Sequence, residues 1–333
     1  MDFRLELSVK PLPQRINIRH KVALVGSCFT DHMGSRLRSM KIPVLENPNG
    51  ILFNPVSIQQ AIQSWIEKRT YTAVDLFFAN DCWTSWDFHG QFSHPNQEQC
   101  LQGINASIAQ AHQFLQEADW LILTLGSAFL YELNSDALAG TAGQVAANCH
   151  KVPANHFVHR LASLQEINTA LEKLITQVRI VNPDVRIIFT VSPVRHYREG
   201  LIENNRSKGT LHLAVAQMQQ QFDNVFYFPA YELIIDDLRD YRFYAEDMVH
   251  PNYAATRYVW EKFSAATFDE ETLSLMQPLE QLRTAMQHRP IHPDTAAHQQ
   301  FLKSMLAKTQ QLSARYPFLD LSEELQYFAG KNA

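Results

Sequence analysis

Where the apolar run KVALVG ends, Ser27 and Cys28 stand side by side, a hydroxyl and a thiol that both belong to the nucleophile types. Such a group needs a base to take its proton, and the base needs a third group to hold it. The late segment EDMVHPN offers both, because Asp247 and His250 stand three apart and Pro251 suits the first position of the helical segment PNYAATRYVWEKF. On one helical turn the carboxylate can hold one imidazole nitrogen while the other faces the nucleophile. A plainer reading of the same residues is an Asp and a His that cap a helix, and a small thiol buried beside a capping serine.

Residues this far apart act together only if the fold gathers them. Five short apolar runs read as buried strands: VALV (22–25), IPVL (42–45), LILTL (121–125), VRIIFTV (185–191) and NVFYF (224–228). Helical patterns lie between them: DHMGSRLRSM after the first run, NPVSIQQAIQSWIEK after the second, EINTALEKLITQVRIVNP before the fourth and KGTLHLAVAQMQQQF before the fifth. The alternation predicts a three-layer α/β/α sandwich around a five-stranded parallel sheet. Ligands bind such sheets beyond the carboxyl ends of the strands. The segments there are GSCFT, ENPNGILFNP, GSAFLYE, SPVRHYRE and, shortly after the fifth run, YAEDMVHPN. Singly, a glycine or an Asn-Pro at such a point is turn chemistry; five polar segments converging on one rim predict a site. Residues 71–100, aromatic and polar, fit neither period and read as an inserted hairpin or cap. From 269 to 333 the pattern is helical, with a Pro-containing break at HRPIHPD, so the sequence predicts an α/β domain over 1–268 and a helical C-terminal extension packed on it.

Composition narrows the partners. With 333 residues, 46% of them hydrophobic, the chain can bury a full core. Its 29 Lys and Arg against 34 Asp and Glu give a formal charge of −5, which leaves no basic surface for a phosphate backbone and sets nucleic acid aside. No run approaches the roughly 18 apolar residues of a membrane span, and MDFRLELSVK lacks the apolar core of a signal peptide. The expectation is a cytoplasmic protein without membrane association, its four cysteines (Cys28, Cys82, Cys100, Cys149) reduced. No CxxC occurs, and no HxxxH or mixed His/Asp set among the 14 histidines calls for a metal, so none is expected.

GSCF, followed by LFNP, CHKVP and DMVHPN, resembles the GSCFA-domain proteins, and a nucleophile after the first strand with a late Asp-x-x-His resembles the SGNH, or GDSL-type, esterases related to them. The resemblance covers most of residues 20–260 and implies a flavodoxin-like sheet and hydrolysis or transfer of an acyl group. Setting VGSCFTD under the esterase pattern Gly-Asp-Ser-(Leu/Ile)-(Ser/Thr)-Asp without a gap puts Cys28 at the nucleophile. Ser27 is then the N-cap of the first helix and Cys28 its first residue, where the helix dipole lowers a thiol pKa. Sliding the register by one makes Ser27 the nucleophile instead. The family pattern implies oxyanion donors from the nucleophile's own backbone, from a glycine after the second strand and from an Asn after the third. Gly50 stands for the second donor; for the third, GSAF has Ala128 where the Asn belongs, which leaves Ser127, the Gly126 backbone or Asn54 as substitutes. Arg195 and His196 in SPVRH are candidates for an anionic or sugar part of the substrate, with an Arg195–Glu199 pair as the alternative, and His150 and Lys151 in NCHKVP are further candidates of that kind.

Three functions fit these residues. One is a cofactor-free esterase that removes an acyl group, most simply acetyl, from a carbohydrate or similar small molecule. Another is an acyltransferase that moves an acyl group from CoA or another thioester to a sugar. The third is a binding module without turnover. A cysteine nucleophile forms a thioester that alcoholysis discharges as readily as water, which suits transfer; the Asp-x-x-His argues against a pure binder.

Overall fold

The computed structural model describes residues 5–288 and 291–330 of the chain. At its centre lie five strands, β1 (Val22–Gly26), β2 (Val44–Glu46), β5 (Trp120–Leu125), β8 (Arg186–Val191) and β9 (Val225–Tyr227). They are ordered β2-β1-β5-β8-β9, and every neighbouring pair is parallel. Counted along the chain this is the order 2-1-3-4-5, the flavodoxin-like arrangement. The remaining strands form two small hairpins, β3 (Phe77–Ala79) with β4 (Cys82–Thr84), and β6 (Phe129–Leu133) with β7 (Phe157–Leu161).

Both faces of the sheet are covered, which is why its strands read as unbroken apolar runs. Ala23, Val25, Leu121, Leu123, Leu125, Ile187 and Phe189 pack on one side against α2 (Pro55–Ile66), α3 (Gln97–Glu117), α4 (Leu164–Val181) and α5 (Leu201–Gln221). The alternate residues Val22, Leu24, Trp120, Ile122 and Ile188 pack on the other against α1 (Cys28–Ser39), a short α6 (Ala230–Glu232), α7 (Tyr253–Thr267) and α8 (Glu270–Gln287). The last two helices, α9 (Ala296–Arg315) and α10 (Ser322–Phe328), join this second core through Met305 and Phe328. At the other end of the chain the Arg15 guanidinium donates to the carbonyls of Ala265, Ala266 and Phe268, closing the end of α7 where a helix leaves its carbonyls unpaired.

Several elements differ from the sequence reading. The aromatic stretch 71–100 holds the β3–β4 hairpin and then runs into α3, a 21-residue helix that the polar residues of its outer face conceal. The β6–β7 hairpin was not expected either; its Leu133 and Phe157 pack with Phe77 and Trp86 of the first hairpin region in a small core of their own. Pro251 is not the first residue of α7. The helix begins at Tyr253, capped by the Asn252 side chain, which accepts from Ala255 N at 3.1 Å. Of the break expected at 288–294, residues 289 and 290 lie outside the described residues, as do 1–4.

The turn from β1 into α1 depends on Gly26. Its φ is +148°, and a Cβ there would stand 2.2 Å from the carbonyl oxygen of Thr124 on β5. With no side chain, the strand end lies flat on its neighbour, and Ser27 N donates to that same carbonyl. Gly26→Ala is therefore expected to destabilise the protein by about 3 kcal/mol, the upper end of overpacking costs, read as a lower urea midpoint.

Candidate functional site

Ser27 and Cys28 occupy the positions that the ungapped register assigns them: Ser27 is the N-cap of α1 and Cys28 its first residue. Their surroundings differ. Ser27 is 1% exposed, and its Oγ has no hydrogen-bond partner among the described residues, so it caps by backbone conformation (φ −73°, ψ 176°) and not by its hydroxyl. Cys28 is half-buried, and the amides of Cys28 and Phe29, which no intrahelical carbonyl can reach, point at its sulfur. Those amides and Lys208 pull the thiol pKa down, yet burial first and then Asp31 push it up by more, so Cys28 rests as a thiol. This corrects the expectation of a lowered pKa. A helix terminus contributes up to about 1 kcal/mol at an exposed site, less than burying a thiolate costs.

Asp31 belongs to a polar network under the turn. Gly26 N donates to Asn47 Oδ1 at 2.9 Å, and Asn47 Nδ2 donates to Asp31 Oδ1 at 2.8 Å. Asp31 in turn shares a hydrogen bond with Glu46, which also meets Arg38. Burial, then Asp31, push the Glu46 carboxyl up to about 7, against the pull of Arg38.

Asp247 and His250 do meet, although not on a helical turn. They sit in the loop before α7, where Met248 takes a left-handed conformation (φ 56°) and Asp247 Oδ1 accepts from Val249 N and His250 N at 2.9 and 3.0 Å. His250 Nδ1 donates to Asp247 Oδ2 at 2.6 Å. The amides of His250 and Val249, and then the imidazole, hold the Asp247 carboxyl down at about 2. Nε2 of His250 has no hydrogen-bond partner among the described residues. The charge of His250 reaches His32, one turn beyond Cys28 on the same face of α1, and His196 after β8, so the loop stands over this rim. Two bonds tie the loop there: Arg195 N donates to Val249 O at 3.3 Å, and Tyr197 Oη donates to Met248 O at 3.2 Å.

Beside the rim lies a cavity of about 380 Å3 whose walls include Asn54, Ser127, His150, His196, Arg198 and Glu199. Asn54 Oδ1 caps α2 by accepting from Ser57 N at 2.8 Å, which fixes the amide and leaves Nδ2 without a partner among the described residues. The His196 ring packs edge-on against Phe53, and burial, then Lys208 and His250, push its imidazole down to about 4, so it is neutral. The Arg198 guanidinium lies 5.2 Å from the centre of the Tyr131 ring and meets no carboxylate among the described residues.

Other candidates are engaged elsewhere. Gly50 N donates to Asn47 O at 2.6 Å, and the N–H groups of Gly126 and Ser127 both donate to Phe53 O, so none of the three is free for an oxyanion. Arg195 lines a separate cleft with Asp236, Arg239 and Tyr244, and Glu199 pairs with His159 at 3.4 Å instead of with Arg195. His150 lines the cavity, but its Nε2 donates to Ser85 O at 2.8 Å; Lys151 is exposed at the mouth. The sequence reading missed Lys208, fully enclosed below the rim. Its signal was that Lys208, Leu211, Val215 and Met218 share the stripe of α5 that faces the core.

Among the described residues no His, Cys, Asp and Glu side chains gather as three metal ligands, and no helix is long and apolar enough to cross a membrane. All four cysteines are free thiols. A larger groove, about 980 Å3, lies between α8 and α9 and contains none of the candidate site residues.

A parallel sheet in this order, with its polar loops gathered on one rim, makes the chain a doubly wound α/β protein. It belongs to the GSCFA family: residues 21–263 match the model of that family, and residues 279–331 match the C-terminal domain of GSCFA domain proteins. Comparison with curated proteins finds no match. Solved structures similar to it include a protein described as a platelet activating factor from Streptococcus pneumonia (11% identity over 74% of this chain and 84% of that one, TM-score 0.41). A Clostridium thermocellum family 3 carbohydrate esterase is similar at 12% identity, 78% and 98% coverage and TM-score 0.37. An acetyl xylan esterase from Butyrivibrio proteoclasticus is similar at 11%, 82% and 66%, and 0.33.

Ser27→Ala removes a buried hydroxyl that has no partner, so stability is expected to stay level or rise by up to about 1 kcal/mol, in contrast to the loss a side-chain cap would give; thermal unfolding decides. Glu46 gives a pH signature. The folded carboxyl keeps its proton up to about 7 while the unfolded one releases it near its ordinary 4.5, so stability falls as pH rises between those values. Glu46→Gln should flatten that part of the stability profile.

Proposed function

We propose that the chain is an ester hydrolase acting on short acyl groups, with Cys28 as nucleophile, His250 as general base and Asp247 holding the imidazole. The observation that carries this reading is the contrast between the neighbours: Ser27 is sealed under the turn, whereas Cys28 is half-buried with two unpaired helix amides at its sulfur. Because burial keeps the thiol protonated, the base has to act in the attacking step, and His250, its Nδ1 tied to Asp247, offers Nε2. The thiol proton passes to Nε2 as the carbon–sulfur bond forms. The oxyanion that develops meets the amides of Cys28 and Phe29, with Asn54 Nδ2 in place of the absent Asn. Collapse expels the alcohol with the proton from His250, and water then cleaves the thioester.

The similarity to carbohydrate and acetyl esterases supports an acylated carbohydrate as the substrate, and the cavity fits one, since Asn54, Arg198 and Glu199 offer hydrogen bonds to hydroxyl groups. Transfer from CoA or another thioester uses the same thioester; the exposure of His250, whose side chain is 48% accessible, favours water as the acceptor.

Intact mass after p-nitrophenyl acetate should show one acetyl group, mapped to Cys28. Cys28→Ala should lose the adduct and at least about 10³-fold in kcat, while Ser27→Ala keeps both. An adduct on Ser27, or full activity in folded Cys28→Ala, rejects the assignment. His250→Ala should lose about 10²–10⁴-fold. Arg198→Ala should raise KM for an acetylated sugar severalfold with kcat nearly unchanged, the pattern of a binding contact.

A further inference from the structure

The β6–β7 hairpin meets the cavity beside the rim with one face of its pleat. Phe129 and Tyr131 stand two apart on β6 and so point the same way, both lining the cavity, and Tyr131 pairs with His159 across the ladder. The His159 ring stacks on both: its centroid lies 5.0 Å from that of Phe129 and 4.2 Å from that of Tyr131, with interplanar angles of 29° and 19°. Arg198, from the loop after β8, sets its guanidinium 5.2 Å from the centre of the Tyr131 ring, within reach of the negative face of the phenol. The stacked rings thus hold a guanidinium at the cavity without neutralising it.

Charge in the cavity walls is lopsided. Arg198 and Lys151 are its cations and Glu199 its one carboxylate. Glu199 is engaged by His159 at 3.4 Å, its side chain 13% exposed, whereas neither cation has an ion-pair partner or a hydrogen-bond acceptor among the described residues. Burial pushes the imidazoles of His150 and His196 down, so they add no charge. Lys151 is held at the mouth in a costly way: it and His150 take left-handed backbone in succession, with φ +59° and +48°. Such conformations persist where the surroundings over-determine them. His150 supplies that hold, its ring donating to Ser85 O at 2.8 Å and its carbonyl accepting from Asn80 Nδ2 at 2.7 Å. None of Cys28, Asp247 and His250 lines the cavity, while Asn54, the donor assigned to the oxyanion, does. An ester whose acyl carbon sits at the sulfur therefore places its alcohol part here.

We propose that the site selects acyl esters of acidic sugars, uronates, with Arg198 and Lys151 taking the carboxylate of the sugar. This rests on the ester-hydrolase reading for the acyl group and specifies the chemistry of the alcohol part. A guanidinium offers two parallel N–H donors to one carboxylate. A single negative charge balances two cations and one carboxylate, whereas a dianionic phosphate would set a surplus charge beside Glu199. Asn148, its Oδ1 fixed by the His150 amide at 2.8 Å, keeps Nδ2 for a ring hydroxyl.

The test is the affinity of the whole protein, by calorimetry at neutral pH and low salt, for methyl glucuronoside and methyl glucoside, which differ only in a carboxylate in place of a hydroxymethyl group. Glucose 6-phosphate is the third ligand. The glucuronoside should bind at least about tenfold tighter than the glucoside, the worth of one charged hydrogen-bonded contact, and tighter than the phosphate. Arg198→Gln, which keeps donors but loses the charge and the fork, should erase the preference. Arg198→Lys should restore part of it, and Lys151→Gln should lower it severalfold. Equal affinities for the two glycosides in the wild type overturn the proposal with no variant needed, and so does an absence of glucuronoside binding at millimolar concentration. A preference that survives in folded Arg198→Gln overturns the assignment of the carboxylate to Arg198, and tighter binding of glucose 6-phosphate overturns the carboxylate itself. The two readings fail separately. A uronate preference without an acetyl adduct on Cys28 rejects the esterase and leaves the sugar site standing; an adduct without the preference does the reverse.

Discussion

The close approach of β1 and β5 governs the rest of this structure. At the end of β1 the backbone lies so near the Thr124 carbonyl that no side chain fits, and only glycine leaves the strand there. That contact fixes where the chain turns into α1, and so where the amides of Cys28 and Phe29 point. The Asn47 side chain braces the turn from the β2 side by accepting from Gly26 N, and Asp31 holds Asn47 in place. A strand, a helix start and a loop from the neighbouring strand end therefore form one rigid unit, with the thiol at its apex.

Electrostatics around Cys28 is a contest between terms of different size. Helix amides and the Lys208 charge favour a thiolate, while burial and Asp31 oppose it and prevail. The thiol is then protonated at rest, which in the proposed reaction gives a base its task and protects the sulfur from oxidation, since the thiolate is the form that oxidants attack. The Asp247–His250 pair is built in the opposite way: exposed, stiffened by two backbone amides, with the carboxylate ionised over the working pH range. Cys28 is half-buried and the Asp247–His250 pair exposed, so the proposed nucleophile and the proposed base stand in opposite environments.

A polar rim on a parallel sheet has to be held without water, because an unpaired buried polar group costs about 1–3 kcal/mol. Here one face of α5 provides the partners that the strand ends lack. Asn204, Ser207 and Lys208 satisfy groups on two loops, and the Phe53 carbonyl takes the amides of Gly126 and Ser127. The amides of Cys28 and Phe29 at the start of α1 take no carbonyl and point at the sulfur.

The five strands were legible in the sequence because a strand buried on both faces is written as an unbroken apolar run, and the order of strands and helices then leaves few topologies. Ser27 as N-cap, Cys28 as first helical residue and the Asp247–His250 contact were also legible, since each depends on neighbours within a few positions. Tertiary contacts decided the rest. Gly50 and Gly126 look alike as turn glycines, but their N–H groups are consumed by carbonyls brought in by folding. Arg195 and His196 are adjacent in sequence, yet the backbone sends them to different clefts. Lys208 lies on the core-facing stripe of α5, but only the packed fold brings the carbonyls of Gly126 and Ser192 to its amine. The pKa of Cys28 depends on how much water the fold removes from around it and on charges from α1 and α5 that no local pattern in the chain brings together.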